Sequence, residues 1–137
     1  MPLVAPTTQH GWCSFALTGQ ASHDAGADGT VGHIINPEGA AIAITRCVVY
    51  AITNSTGAAN LTVGIGATVA AAHDATELAA AHALAAAVGT AWEGMQHGDV
   101  DDAPVILAAD SYIAAYASAD SSGFTGRCYI EYVRVGE

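Results

Sequence analysis

The chain has 137 residues, 13 acidic and only 3 basic, with no lysine and a formal charge of −10. At that length one domain buries a core without needing disulfides or a metal. With so few cations near any phosphate, direct binding of nucleic acid or an anionic membrane surface is excluded. The hydrophobic fraction of 52% is inflated by 31 alanines, and the Ala-rich stretch 70–89 carries His73, Asp74, Glu77 and His82, which would be costly in hydrocarbon.

In chain order, "MPLVAPTTQHG" reads as an N-terminal arm over residues 1–11, with neither the basic start nor the apolar run of an export signal. Residues 12–137 are expected to form one β-sandwich domain. "WCSFALT" (12–18) and "TVGHII" (30–35) read as strands, separated by the Gly/Asp-rich loop "GQASHDAGADG". The next segment, "IAITRCVVYAITNSTGAANLTVGIG", puts Ile42, Ile44, Val48, Tyr50 and Ile52 on one parity, and Leu61, Val63 and Ile65 on one parity after a small-residue turn. This pattern predicts a β-hairpin with one buried face. Arg46 falls on the apolar parity, so it must sit near a sheet end or meet a carboxylate.

Asp74 followed three residues later by Glu77 resembles a capping box, and the alanines run on to Gly89, so a short helix is expected near 75–88. Further strands are expected at 104–108, 111–118 and 126–135. About seven or eight short strands bounded by Gly, Pro, Asn, Asp and Ser predict an all-β fold, an antiparallel sandwich or jelly roll. Within the last strand Arg127 and Arg134 are an odd number of residues apart, so they project from opposite faces and form no basic patch. Each is expected to meet a carboxylate of this chain or of a neighbouring subunit.

Chemistry-bearing patterns are sparse. His73 and Glu77 stand at i, i+4 with His82 further on, but HExxH is absent, and His82 would lie well round the helix from Glu77. Asp99, Asp101 and Asp102 alternate as calcium ligands do, without the glycine and terminal glutamate of an EF-hand loop. Both sets read as solvated polar segments, and no metal or cofactor is expected. No nucleophile elbow or Cys/His pairing points to catalysis. Cys13, Cys47 and Cys128 are isolated in strand-like runs, as small core residues of a chain made in a reducing cytoplasm; a Cys13–Cys128 pairing is left open.

The stretches "RCVVYAITNSTGAANLTVGIGAT" and "VILAADSYIAAYASADSSGFTGRCYIEYVRV" together resemble the small jelly-roll decoration, or cement, proteins of tailed-bacteriophage heads, over roughly residues 42–135. The resemblance implies a non-enzymatic virion protein, made in the host cytoplasm and commonly a homotrimer, that binds the outer capsid surface and clamps neighbouring subunits of the major capsid protein. Arg127 and Arg134 would then serve as contacts between acidic subunits. The alternative is a carbohydrate- or receptor-binding sandwich of a phage tail or cell surface, for which Trp92, Glu93 and Gln96 offer the aromatic and polar groups.

Overall fold

The computed structural model describes residues 10–21, 29–72, 76–85, 91–93 and 105–135. Among the described residues, nine antiparallel strands pack as two sheets: β1 (His10–Thr18), β2 (Thr30–Ile35), β3 (Ile42–Thr53), β4 (Asn60–Gly66), β5 (Ala79–Ala83), β6 (Ala91–Glu93), β7 (Val105–Leu107), β8 (Tyr112–Ala117) and β9 (Thr125–Arg134). The first sheet runs β1-β9-β3, with β7 and β6 sharing the far edge of β3; the second runs β2-β8-β4-β5. The chain crosses between sheets at almost every connection, so strands adjacent in space come from distant parts of the sequence. This is the double-sheet jelly roll that the strand pattern predicts.

Strand β9 organises the first sheet. Gly126, Cys128, Ile130 and Tyr132 are buried while Arg127, Tyr129 and Glu131 are exposed, and the strand pairs without irregularity with β1 from His10 to Thr18. Its inner residues meet Phe15 and Leu17 of β1, Ile42 and Ile44 of β3, and, from the opposite sheet, Leu61, Val63 and Ile113 in one core.

The hairpin expected from β3 and β4 does not form. The two strands lie in different sheets, and residues 54–59 cross the sandwich, tied by Ser55 N–H to Leu84 O at 3.1 Å and Thr56 N–H to Ser122 O at 2.8 Å. The parity reading of β3 holds only for its first half. A register shift between Ile44 and Arg46 turns Arg46 out to solvent and reverses the side chains from there to Ile52, and a second shift follows between Ala51 and Thr53. Cys47, Val49 and Ala51 therefore enter the core, whereas Tyr50 and Ile52 stand 40% and 52% exposed. Leu61 and Val63 are fully buried as expected.

The helix expected near 75–88 is also corrected: Ala79–Ala83 is edge strand β5. Leu78 N–H bonds to Val63 O at 3.0 Å and Leu84 N–H to Ala59 O at 2.9 Å, extending the β4 ladder past both ends of β5. Both leucines are fully buried. Alanine's helical preference is a fraction of a kcal/mol per residue, and a short isolated helix is marginal in water. Two core leucines and a waiting ladder outweigh it.

Alanines earn their place elsewhere. All of Ile113 to Ala117 in β8 is buried, because the turn around Ala70–Ala72 folds over the outer face of the second sheet. Ala72 packs there on Ala114 and Tyr116, whose hydroxyl donates to Val69 O. At one end of the sandwich buried Asn36 joins two loops: its amide nitrogen donates to the carbonyls of Ala40 (3.0 Å), Leu107 (3.3 Å) and Ala108 (2.9 Å), and its Oδ1 accepts from Glu38 N–H at 2.8 Å.

The reversal within β3 gives a direct test by urea unfolding. Ile44→Ala should destabilise by about 2–5 kcal/mol, as truncation of a buried aliphatic does, and Ile52→Ala by less than about 0.5 kcal/mol. Equal costs at the two positions would contradict the register.

Candidate functional site

The outer face of the β1-β9-β3 sheet holds most of the unusual surface chemistry. Reading across the strands, Trp12, Glu131 and Arg46 form one row, Ser14, Tyr129 and Val48 the next, and Ala16, Arg127 and Tyr50 a third. Arg46 Nη1 lies 3.4 Å from Glu131 Oε2, both side chains about half exposed, so the carboxylate expected for Arg46 is present. Trp12, Arg46, Val48, Tyr129, Ile130 and Glu131 line a shallow groove of about 300 Å³. Trp12 is 69% exposed.

Arg127 projects from this face, as its parity requires, and Nε donates to Ser14 Oγ at 3.1 Å. Among the described residues no carboxylate lies within ion-pair distance of it. Its direct neighbour across the ladder is the exposed Tyr50, with exposed Ile52 beyond. Arg134, of opposite parity, emerges at the end of β9, 3.8 Å from Glu38 Oε1. The same glutamate accepts a 2.7 Å hydrogen bond from the Tyr132 hydroxyl. Tyr132 lies opposite Gly11, where any Cβ would come within 2.5 Å of its ring, so glycine there makes room for the tyrosine.

Of the metal candidates, only Glu77 and His82 lie among the described residues. His73 lies outside the described residues, and Glu77 and His82 share no helix face: Glu77 precedes β5, and His82 lies on it opposite Leu61. Burial lowers the His82 pKa. Asp99, Asp101, Asp102 and Gln96 lie outside the described residues, and Trp92 and Glu93 are placed on β6 opposite Val49 and Val48. Among the described residues no three His, Cys, Asp or Glu side chains are grouped to hold a metal ion, and no helix is long and apolar enough to cross a membrane.

The three cysteines are free thiols on the inner side of the first sheet. The close pair is Cys47 and Cys128, with sulfurs 3.7 Å apart, rather than Cys13 and Cys128. Contact with Cys47 and burial push the Cys128 thiol well up, and burial raises Cys13 to about 11, so the reactive thiolates are suppressed.

Comparison with protein families, with curated proteins and with solved structures finds no match for this chain.

The Tyr132–Glu38 contact predicts a pH dependence. Burial, then the hydrogen bond to Glu38, pushes the Tyr132 hydroxyl up to about 12 from an ordinary 10. The folded state thus holds this proton more tightly than the unfolded chain, and the stabilisation is complete below pH 10 and lost as pH rises towards 12. Urea midpoints measured across that window should fall more steeply for the native chain than for Tyr132→Phe. Parallel profiles would contradict the contact.

Proposed function

We propose that this protein is a non-enzymatic structural component of a virion, which decorates the outer surface of a phage capsid and clamps neighbouring subunits of the major capsid protein. It works as a homotrimer. The jelly-roll fold and the resemblance over residues 42–135 support this reading, and one observation carries it furthest. In a chain of net charge −10, Arg127 stands on an open sheet face without a carboxylate partner among the described residues, flanked by exposed Tyr50 and Ile52.

Arginine and tyrosine ringed by small apolar groups are the residues that carry binding energy at protein interfaces. An acidic protein that self-associates must also offset its own repulsion, and a cation set against the acidic surface of the next subunit does so. Fully burying a side chain such as Ile52 adds about 1.5–3 kcal/mol that the monomer forgoes. The Arg127 patch is the proposed subunit contact, with Arg134, already beside Glu38, as a secondary one at the end of the sheet.

Light scattering should give a mass near three times 13.7 kDa. Arg127→Glu should dissociate the assembly by at least about tenfold, equivalent to ~1.4 kcal/mol, while moving the urea midpoint little. Mixed with capsids of the cognate virus, the native protein should co-sediment with them. A monomer at every concentration removes the assembly contact, and failure to bind capsids removes the decoration role, so the two parts fail separately.

A further inference from the structure

Trp12 is the most exposed large apolar residue among those described, and it stands on the edge strand β1, away from Arg127. Its row contains Glu131 and Arg46, and Tyr129 lies in the adjacent row, about 7 Å along the strands. An aromatic surface thus borders a carboxylate and a guanidinium in one groove of about 300 Å³. That volume is at the lower end for small-molecule sites, enough for a single ring with a substituent.

The chemistry of the walls restricts the ligand. An indole and a phenol call for a flat apolar face, while Arg46 supplies donors and Glu131 acceptors at the rim. These two charges cancel, and the surrounding protein carries a charge of −10. An anionic ligand is repelled by that field, and a cation competes with Arg46 for Glu131. What fits is a neutral molecule that has an apolar face and a rim of groups able to donate and accept together. A pyranose has this form: ring C–H groups on one face, hydroxyls around the edge. The Arg46–Glu131 pair is half exposed and screened by water, so sharing it with hydroxyls takes little from the fold.

We propose that the Trp12–Tyr129 groove is a binding site for a neutral pyranose sugar, with the ring stacked on Trp12 and its hydroxyls shared between Glu131 and Arg46. The site is separate from the Arg127 contact and requires neither a capsid nor an oligomer.

The test is a titration of the full chain carrying Trp92→Phe, so that Trp12 is the sole tryptophan, with methyl β-glucopyranoside, methyl β-galactopyranoside and methyl α-mannopyranoside, paralleled by ligand-observed saturation-transfer NMR. At least one glycoside should give a saturable emission change with a dissociation constant on the order of 1–10 mM, ordinary for a ligand of about a dozen heavy atoms. By NMR, Trp12→Ala should weaken binding by about tenfold or more and Glu131→Gln by about fivefold, whereas Ile35→Ala, exposed on β2 of the other sheet, should bind as the parent does. The proposal is overturned if none of the three glycosides saturates, or if Trp12→Ala and Glu131→Gln both bind undiminished. An emission change that follows protein concentration but no sugar also overturns it, and would assign the groove to a second copy of the chain.

Discussion

A guanidinium placed between two sheets without partners would cost more than the surrounding core contributes, and Arg46 lies on the parity that leads there. The bulge between Ile44 and Arg46 resolves the conflict by letting β3 gain one residue on β9. Its consequences run through the molecule. Arg46 turns outward to Glu131, and Cys47, Val49 and Ala51 turn inward, where Cys47 meets Cys128. Tyr50 and Ile52 are delivered to the outer face, Tyr50 directly opposite Arg127. One inserted residue therefore sets both the core of the first sheet and the composition of its open face.

Much of the architecture was legible because it depends on period two. The alternation of β9 survives without interruption from Thr125 to Tyr132, and the burial of Leu61 and Val63 follows from the same rule. Where the rule failed, the cause was non-local. Nothing in the spacing of β3 marks a bulge except the misplaced arginine, which signals both the register shift and the carboxylate partner it finds in Glu131. "NSTGAA" announces a turn but not which sheet the chain enters next, since that choice rests on bonds from Ser55 and Thr56 to Leu84 and Ser122. The alanines of β5 carry no side-chain preference strong enough to resist a neighbouring ladder, and the decisive residues were Leu78 and Leu84 at its ends.

The functional surface was legible only in part. Arg127 could be assigned to one face and Arg134 to the other by parity, and the structure places them so, with Arg134 beside Glu38. The sequence pattern favours Trp92 over Trp12, because "WCSFALT" has the composition of a core strand. The usable signal was that Phe15 and Leu17 share one parity and Trp12 has the other, so burying the first two exposes the third. Its pairing with Glu131 and Arg46 joins residues more than thirty positions apart in sequence, and no local pattern encodes it.

The account stands on the outer face of the β1-β9-β3 sheet being open in the free subunit and used in the assembled one. Hydroxyl-radical footprinting read by mass spectrometry, on dilute protein and again at concentrations where it assembles, measures this residue by residue. Trp12, Tyr50 and Tyr129 should oxidise readily in dilute protein while Tyr116 and Phe124, fully enclosed, should not, and on assembly Tyr50 should become protected. Protection of Tyr50 in the dilute protein, or its unchanged oxidation in the assembled one, would contradict the account.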